Sequence, residues 1–159
     1  MADKIDAIDL KILSILQERG RITNLQLSSE IGLSPAPTLE RVRKLEKRGY
    51  IPSYHAQVNH EKLGIGLQAF IEVSLARQRE NAIHNFITAV MEIEEIVECY
   101  QVTGEFDYQL KVMTKDIAAF DQLITERLST IDEIGHMQSY IILSSIKSSR
   151  SVPLLNYEH

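Results

Sequence analysis

The sequence is short of the residues that staple, anchor or react. Cys99 is its only cysteine, which excludes an intrachain disulfide and a cysteine-built metal cluster, and makes a reducing cytoplasm the expected home. No apolar run approaches the roughly 18 residues that cross a bilayer, so no membrane partner is expected. Charges interrupt Ile5 to Leu16, so the opening Met-Ala-Asp-Lys does not read as a secretory leader. No phosphate-cradling glycine loop, nucleophile elbow or metal-binding His/Glu motif is present. The five histidines are scattered, and nothing sets His84 or His136 beside Cys99, which is expected mid-strand as a small buried hydrophobe. Tandem repeats and low-complexity segments are missing as well. These absences argue against an enzyme, a bound metal and a cofactor.

What is present is an ordinary globular composition, 44% hydrophobic and 25% charged over 159 residues, enough for one large or two small domains. The net charge of −5 hides an asymmetry. Residues 1–60 carry +2 and the remainder −7, as expected when one domain meets phosphate and another does not.

Gly20 to Ile51 organises the chain. Thr23 can cap a short helix on which Leu27 and Ile31 share a face. Gly32 ends that helix through a left-handed backbone. Ser34 is the next N-cap, and Pro35 at the first helical position sacrifices no hydrogen bond. A helix ahead of these, capped by Asp6 and carrying Ile8, Ile12 and Ile15/Leu16 on one stripe, completes a trihelical core. Helix, glycine turn and capped helix make a helix-turn-helix pattern. At about 100° per residue, Leu39, Val42 and Leu45 fall on one side of the last helix, to be buried. Pro37, Arg41, Lys44 and Arg48 fall on the other, flanked by Glu40, Arg43 and Lys47. Between Leu33 and Tyr54 five basic residues outnumber two acids. A solvated charged face is the plain alternative; the coincidence of turn, capped start and basic face favours a helix built for the DNA major groove. Ser34, Pro35, Pro37, Thr38, Arg41, Arg43, Lys44 and Arg48 are the candidate DNA contacts.

The second half reads strand (67–75), helix (81–93), strand (96–102), turn, strand (106–113), helix after Asp116, and strand (134–146). That order is βαββαβ, the ferredoxin-like split unit, with both helices on one sheet face and the other face open to a partner. The class is therefore α+β. The boundaries expected are a DNA-binding domain at 1–52, a connecting strand and hinge at 53–66 closed by Gly64 and Gly66, the ferredoxin-like domain at 67–148, and a loosely held tail at 149–159.

Thr103-Gly104-Glu105-Phe106-Asp107-Tyr108 is the second informative stretch. It reads as a hairpin turn in which Gly104 supplies a positive φ. The functional alternative is a nest of backbone N–H groups for a carboxylate, with Asp107 available for an ammonium.

Gly20-Arg21-Ile22, Leu27-Ser28, Ile31-Gly32-Leu33-Ser34-Pro35, Pro37, Arg41-Val42-Arg43-Lys44-Leu45-Glu46 and Gly49-Tyr50-Ile51 closely resemble the DNA-binding domain of the Lrp/AsnC (feast/famine) transcription regulators. The second half resembles that family's effector-binding and oligomerisation domain, often called RAM, so the likeness covers about residues 5–147. It departs at Ile131-Asp132-Glu133-Ile134, where members often carry Pro-Gly-Val. The resemblance implies a regulator that binds double-stranded DNA, tuned by an amino acid or related metabolite. It implies a homodimer assembling to an octamer, with the Gly104 turn gripping the amino acid between dimers. Tyr100, Thr103, Gly104, Glu105, Asp107, Gln138, Ser139 and Tyr140 are the candidate effector residues. Two other readings stand beside it: an architectural DNA-wrapping protein with a vestigial pocket, and a metabolite-binding or enzymatic domain with an incidental helical appendage.

Overall fold

A computed structural model describes residues 5–77, 79–149 and 151–154. The chain forms two compact units, one of residues 1–57 together with 147–159, the other of residues 58–146.

In the first unit, three helices follow from their caps. Helix α1 spans Ala7–Glu18, and the Asp6 carboxylate accepts the Asp9 N–H at 2.8 Å. Helix α2 spans Asn24–Ile31, where Thr23 and Gln26 satisfy each other's backbone N–H in a capping box. Gly32 ends α2 at φ +79°, with its own N–H and that of Leu33 both donating to the Ser28 carbonyl at 3.0 Å. Helix α3, Pro35–Lys47, begins on proline. Ser34 holds the N-cap position with extended backbone, yet its hydroxyl makes no cap bond. Its carbonyl instead accepts the Thr38 Oγ1 hydroxyl at 2.9 Å. Ile12, Leu27, Ile31 and Leu45 are buried at the centre of this unit, each worth about 1.5–3 kcal/mol relative to exposure.

Three expectations are corrected here. Leu39 is 38% exposed rather than buried, lying over an open groove of about 180 Å³ with Leu16, Leu27, Val42 and Tyr54. Ser53 to Val58 forms no strand, because no other segment among the described residues offers it a ladder. The tail is not loosely held throughout: the Val152 N–H donates to Gln17 Oε1 at 2.5 Å and its carbonyl accepts Gln17 Nε2 at 3.3 Å.

The second unit opens with a turn at Glu61–Leu63, started by Asn59 Oδ1 accepting the Lys62 N–H. It continues as β1 (Leu67–Leu75), α4 (Glu80–Met91), β2 (Ile96–Gln101), β3 (Tyr108–Thr114), α5 (Ile117–Gln122) and β4 (Ile134–Ile141). Asp116 caps α5 by accepting the Ala119 N–H at 2.9 Å. The helix then runs on through a π-helical turn, Leu123–Arg127, and a 3₁₀ turn, Leu128–Thr130. The sheet order is β2-β3-β1-β4, antiparallel throughout, which is the split βαββαβ arrangement. Strict alternation along β1 puts Leu67, Ala69, Ile71, Val73 and Leu75 in the core, packed with Phe86 and Val90 of α4, Phe120 of α5, and Leu123 and Leu128 of the turns after it. Gln68, Phe70, Glu72 and Ser74 face the other way and are half-buried. The β2–β3 loop is longer than a tight turn, and β4 stops at Ile141 rather than 146.

Candidate functional site

Helix α3 presents Pro37, Glu40, Arg43, Lys44 and Lys47 to solvent, with Ser34 and Pro35 exposed at its start. Thr38 is fully buried, so it faces the core and not DNA. It is tolerated there because its hydroxyl is satisfied by the carbonyl four residues back. That buried threonine, together with Leu45, rotates the helix relative to the apolar stripe read from sequence: Leu39 turns outward and Arg41 turns in. Arg41 is not at the centre of the outer face. One of its terminal nitrogens, Nη1, lies 2.7 Å from Asp6 Oδ2 and 2.8 Å from Asp9 Oδ1. The side chains of Arg41 and Asp9 are 31% and 11% exposed. The Asp9 N–H, and then the Arg41 guanidinium, hold the Asp6 carboxyl below its ordinary value. The Arg48 guanidinium lies 5.0 Å from the Tyr50 ring centroid, a cation–π distance.

Reading the sequence for cations alone missed Asp6 and Asp9 as partners. The signal was there, since Asp9 lies one turn before Ile12 on the buried face, and an acid placed so demands a cation. Asn24 was missed too. Its Nδ2 donates to the Pro35 carbonyl at 2.8 Å, fixing the turn between α2 and α3.

In the second unit, Gly104 takes φ +128° with no atom within 4 Å of where a Cβ would stand. Thr103, Gly104 and Glu105 are exposed. The Val102 N–H donates to the Asp107 carbonyl at 2.9 Å, closing the loop. Asp107 is half-buried and already engaged: its N–H donates to the Val73 carbonyl, and its Oδ2 accepts the Leu75 N–H at 2.8 Å. Phe106 stacks on His136 with centroids 5.9 Å apart, a contact between the loop and β4 that strand register could have revealed.

The four strand residues do not converge within one chain. Tyr100 pairs with Gln109 on one edge strand, while Gln138 and Tyr140 pair with Glu72 and Phe70 on the opposite edge. Three strand spacings separate the two edges, roughly 14 Å. Ser139 pairs with Ile71 and therefore lies on the helix-covered side, away from Gln138 and Tyr140. The Tyr100 phenol donates to Glu98 Oε2 at 2.7 Å, and that carboxylate holds the phenol above its ordinary pKa. Cys99, expected buried, is exposed on edge strand β2; partial burial still raises its thiol above the ordinary value. Among the described residues no group of three or more His, Cys, Asp or Glu is placed to hold a metal ion.

Two family models match the chain. One, described as winged helix-turn-helix DNA-binding, covers residues 5–51. The other, described as Lrp/AsnC ligand binding domain, covers residues 68–152. The chain belongs to the Lrp/AsnC family. It is similar to the leucine-responsive regulatory protein of Escherichia coli (strain K12), 41% identical over 91% of this chain and 88% of that one. It is also 40% identical to the proline dehydrogenase transcriptional activator of Rhizobium radiobacter, over 92% and 94% of the two chains. Among solved structures, a Neisseria meningitidis transcriptional regulator in complex with L-Met superposes with TM-score 0.93 at 38% identity, covering 96% of this chain and 98% of that one. Taken with the trihelical unit and the ferredoxin-like unit, these matches make the protein a ligand-modulated, DNA-binding transcription regulator. No described helix is long and apolar enough to cross a membrane.

Proposed function

We propose that this Lrp/AsnC regulator binds an α-amino acid at the Gly104 turn and reads double-stranded DNA with the outward stripe of α3. The observation that carries the first half is the turn itself. Thr103, Gly104 and Glu105 stand exposed around a positive φ, beside the Asp107 carboxylate. Exposed backbone N–H groups of such a turn suit a carboxylate, and a neighbouring carboxylate suits an ammonium. The Neisseria neighbour, described as an L-Met complex, supports the same ligand class. Tyr100, Gln138 and Tyr140 share the open sheet face, and from opposite edges they serve one pocket only when a second copy supplies part of it.

On DNA, Arg43 and Lys44 lie on the exposed face, with Pro37 and Ser34-Pro35 at the end of α3 that enters the groove first; Lys47 and Arg48 follow along the helix toward the phosphates. The protein works as a homodimer that assembles further, to an octamer, in the cytoplasm. Its similarity to transcription regulators supports a non-enzymatic role, and the raised pKa of the Cys99 thiol makes that group a poor nucleophile.

A calorimetric titration with each of the proteinogenic amino acids tests the reading. Saturable binding by one or a few of them, weakened when Gly104 is given a side chain, is the expected result. No heat and no change in melting temperature with any amino acid would favour an architectural protein with a vestigial pocket.

A further inference from the structure

We propose that Arg41 is a positioning residue, which pins the DNA-facing helix to the start of α1 through Asp6 and Asp9, rather than a residue that reads DNA. The inference rests on α3 being the DNA-facing helix.

Its basis is the sharing of charge around one nitrogen. Asp6 uses one carboxylate oxygen to cap α1 and the other to accept Arg41. Asp9 lies three residues further along the same helix, its side chain nearly buried, and its Oδ1 accepts from the same Arg41 nitrogen. A guanidinium that left this site for a base edge would strand the Asp9 carboxylate without a counter-ion in a poorly solvated place. It would also uncover two acids in a domain that approaches a polyanion. The exposed cations of α3 lie elsewhere on the helix, at Arg43, Lys44 and Lys47. Arg41 therefore sets the angle at which those residues are presented, and its effect on DNA passes through Asp9.

The sign of one experiment separates this from a charge effect. Asp9→Asn removes a negative charge from a DNA-binding domain, so simple electrostatics predicts tighter binding. A positioning role predicts weaker binding. Affinity is measured on two duplexes of equal length, one selected from a random-sequence pool by the wild-type protein and one unselected. Arg41→Ala and Asp9→Asn are each expected to weaken both duplexes to a similar degree, by about five- to a hundredfold. The double variant should be no weaker than the worse single, and Arg41→Lys should recover part of the loss. The dependence of log affinity on log salt should keep its slope, because no phosphate contact is lost.

Lys44→Ala, run in parallel, should weaken both duplexes and reduce that slope by about 0.9. If Lys44→Ala binds like wild type, the reading of α3 fails and the role of Arg41 fails with it. If Arg41→Ala relaxes preference at one base position, or lowers the salt slope by about 0.9, while Asp9→Asn binds normally or better, Arg41 touches DNA and the proposal is overturned. Should Arg41→Ala not fold, Arg41→Lys and Asp9→Asn decide by the same criteria.

Discussion

The Asp107 carboxylate accepts the Leu75 backbone N–H at 2.8 Å. The residue proposed to meet an ammonium thus also fixes the end of β1, and the two roles come apart by substitution. Asp107→Ala removes the acceptor and leaves a part-buried amide unsatisfied, at about 1–3 kcal/mol. Asp107→Asn keeps an oxygen for Leu75 but loses the charge. In urea titration, the alanine variant should be destabilised by that amount and the asparagine variant by much less. For the amino acid, Asp107→Asn should lose a charge-assisted hydrogen bond, which is about ten- to a hundredfold in affinity. Unchanged affinity in that variant would place the ammonium elsewhere.

Gly104→Ala probes the turn with little steric interference, since a Cβ there meets nothing within 4 Å. The obstacle is the backbone: φ +128° is a region that L side chains rarely adopt, at a cost on the order of 1–3 kcal/mol. The loop should either carry that strain or shift its amides. Amino-acid binding should fall in calorimetry while ligand-free DNA affinity, measured on the duplex selected by wild type, remains unaltered. Loss of DNA binding in Gly104→Ala without ligand would contradict the division of labour between the two units.

Tyr54 supplies a pH test. Its hydroxyl donates to Glu46 Oε1 at 2.9 Å, and burial first, then that carboxylate, pushes the phenol up to about 12. The neutral form is favoured in the folded protein, so this contact's contribution is complete below the ordinary value of 10.0 and is lost as pH rises through about 12. Absorbance titration of the folded protein should show one tyrosine ionising about two units later than an exposed one, and Tyr54→Phe should remove that step. A titration of Tyr54→Phe indistinguishable from wild type above pH 11 would dismiss the Tyr54–Glu46 bond.

Capping chemistry and strand alternation were legible in the sequence, because each is decided by neighbours a few residues apart. Asp6, Thr23 and Asp116 begin helices as their side chains dictate, and Gly32 ends one because it lacks a side chain. The alternation of Leu67 to Leu75 fixes which residues of β1 are buried. What failed was orientation. The rotation of α3 turned on Thr38, which side-chain polarity assigns to the surface although helical periodicity sets it on the face of Leu45 and Val42; it is buried there with its hydroxyl satisfied by the Ser34 carbonyl. Ser139 was grouped with Gln138 and Tyr140 by sequence adjacency, although adjacent strand residues point to opposite faces. The connector at Ser53 to Val58 alternates like a strand, yet a ladder needs a second segment, and the sequence of one chain does not show whether one is available.

The open face of the sheet carries the last prediction. Half-buried Phe70 of β1 and Met113 of β3, with exposed Tyr100 and Tyr140 toward the two edges, share that face with Glu72, Glu98 and Lys111. The other face is filled by α4, α5 and the turns after it. An antiparallel sheet tolerates one wet face when that face is polar; a phenylalanine and a methionine on the two central strands depart from the pattern, and a second copy of the chain would cover them. Phe70→Asp places a charge at the centre of such an interface, opposite Lys111, which Glu98 already pairs, and a desolvated carboxylate there costs several kcal/mol. Sedimentation at micromolar concentration should show monomers for this variant and dimers or larger species for wild type. Met91→Asp, on the exposed outer side of α4, adds the same charge outside the proposed interface and should leave assembly unaffected. DNA binding should follow assembly, since half-sites one helical turn apart, about 34–36 Å, need two linked reading helices. Phe70→Asp should therefore lose most of its affinity for the selected duplex and Met91→Asp little. A Phe70→Asp protein that sediments as wild type would show that the copies meet through another surface.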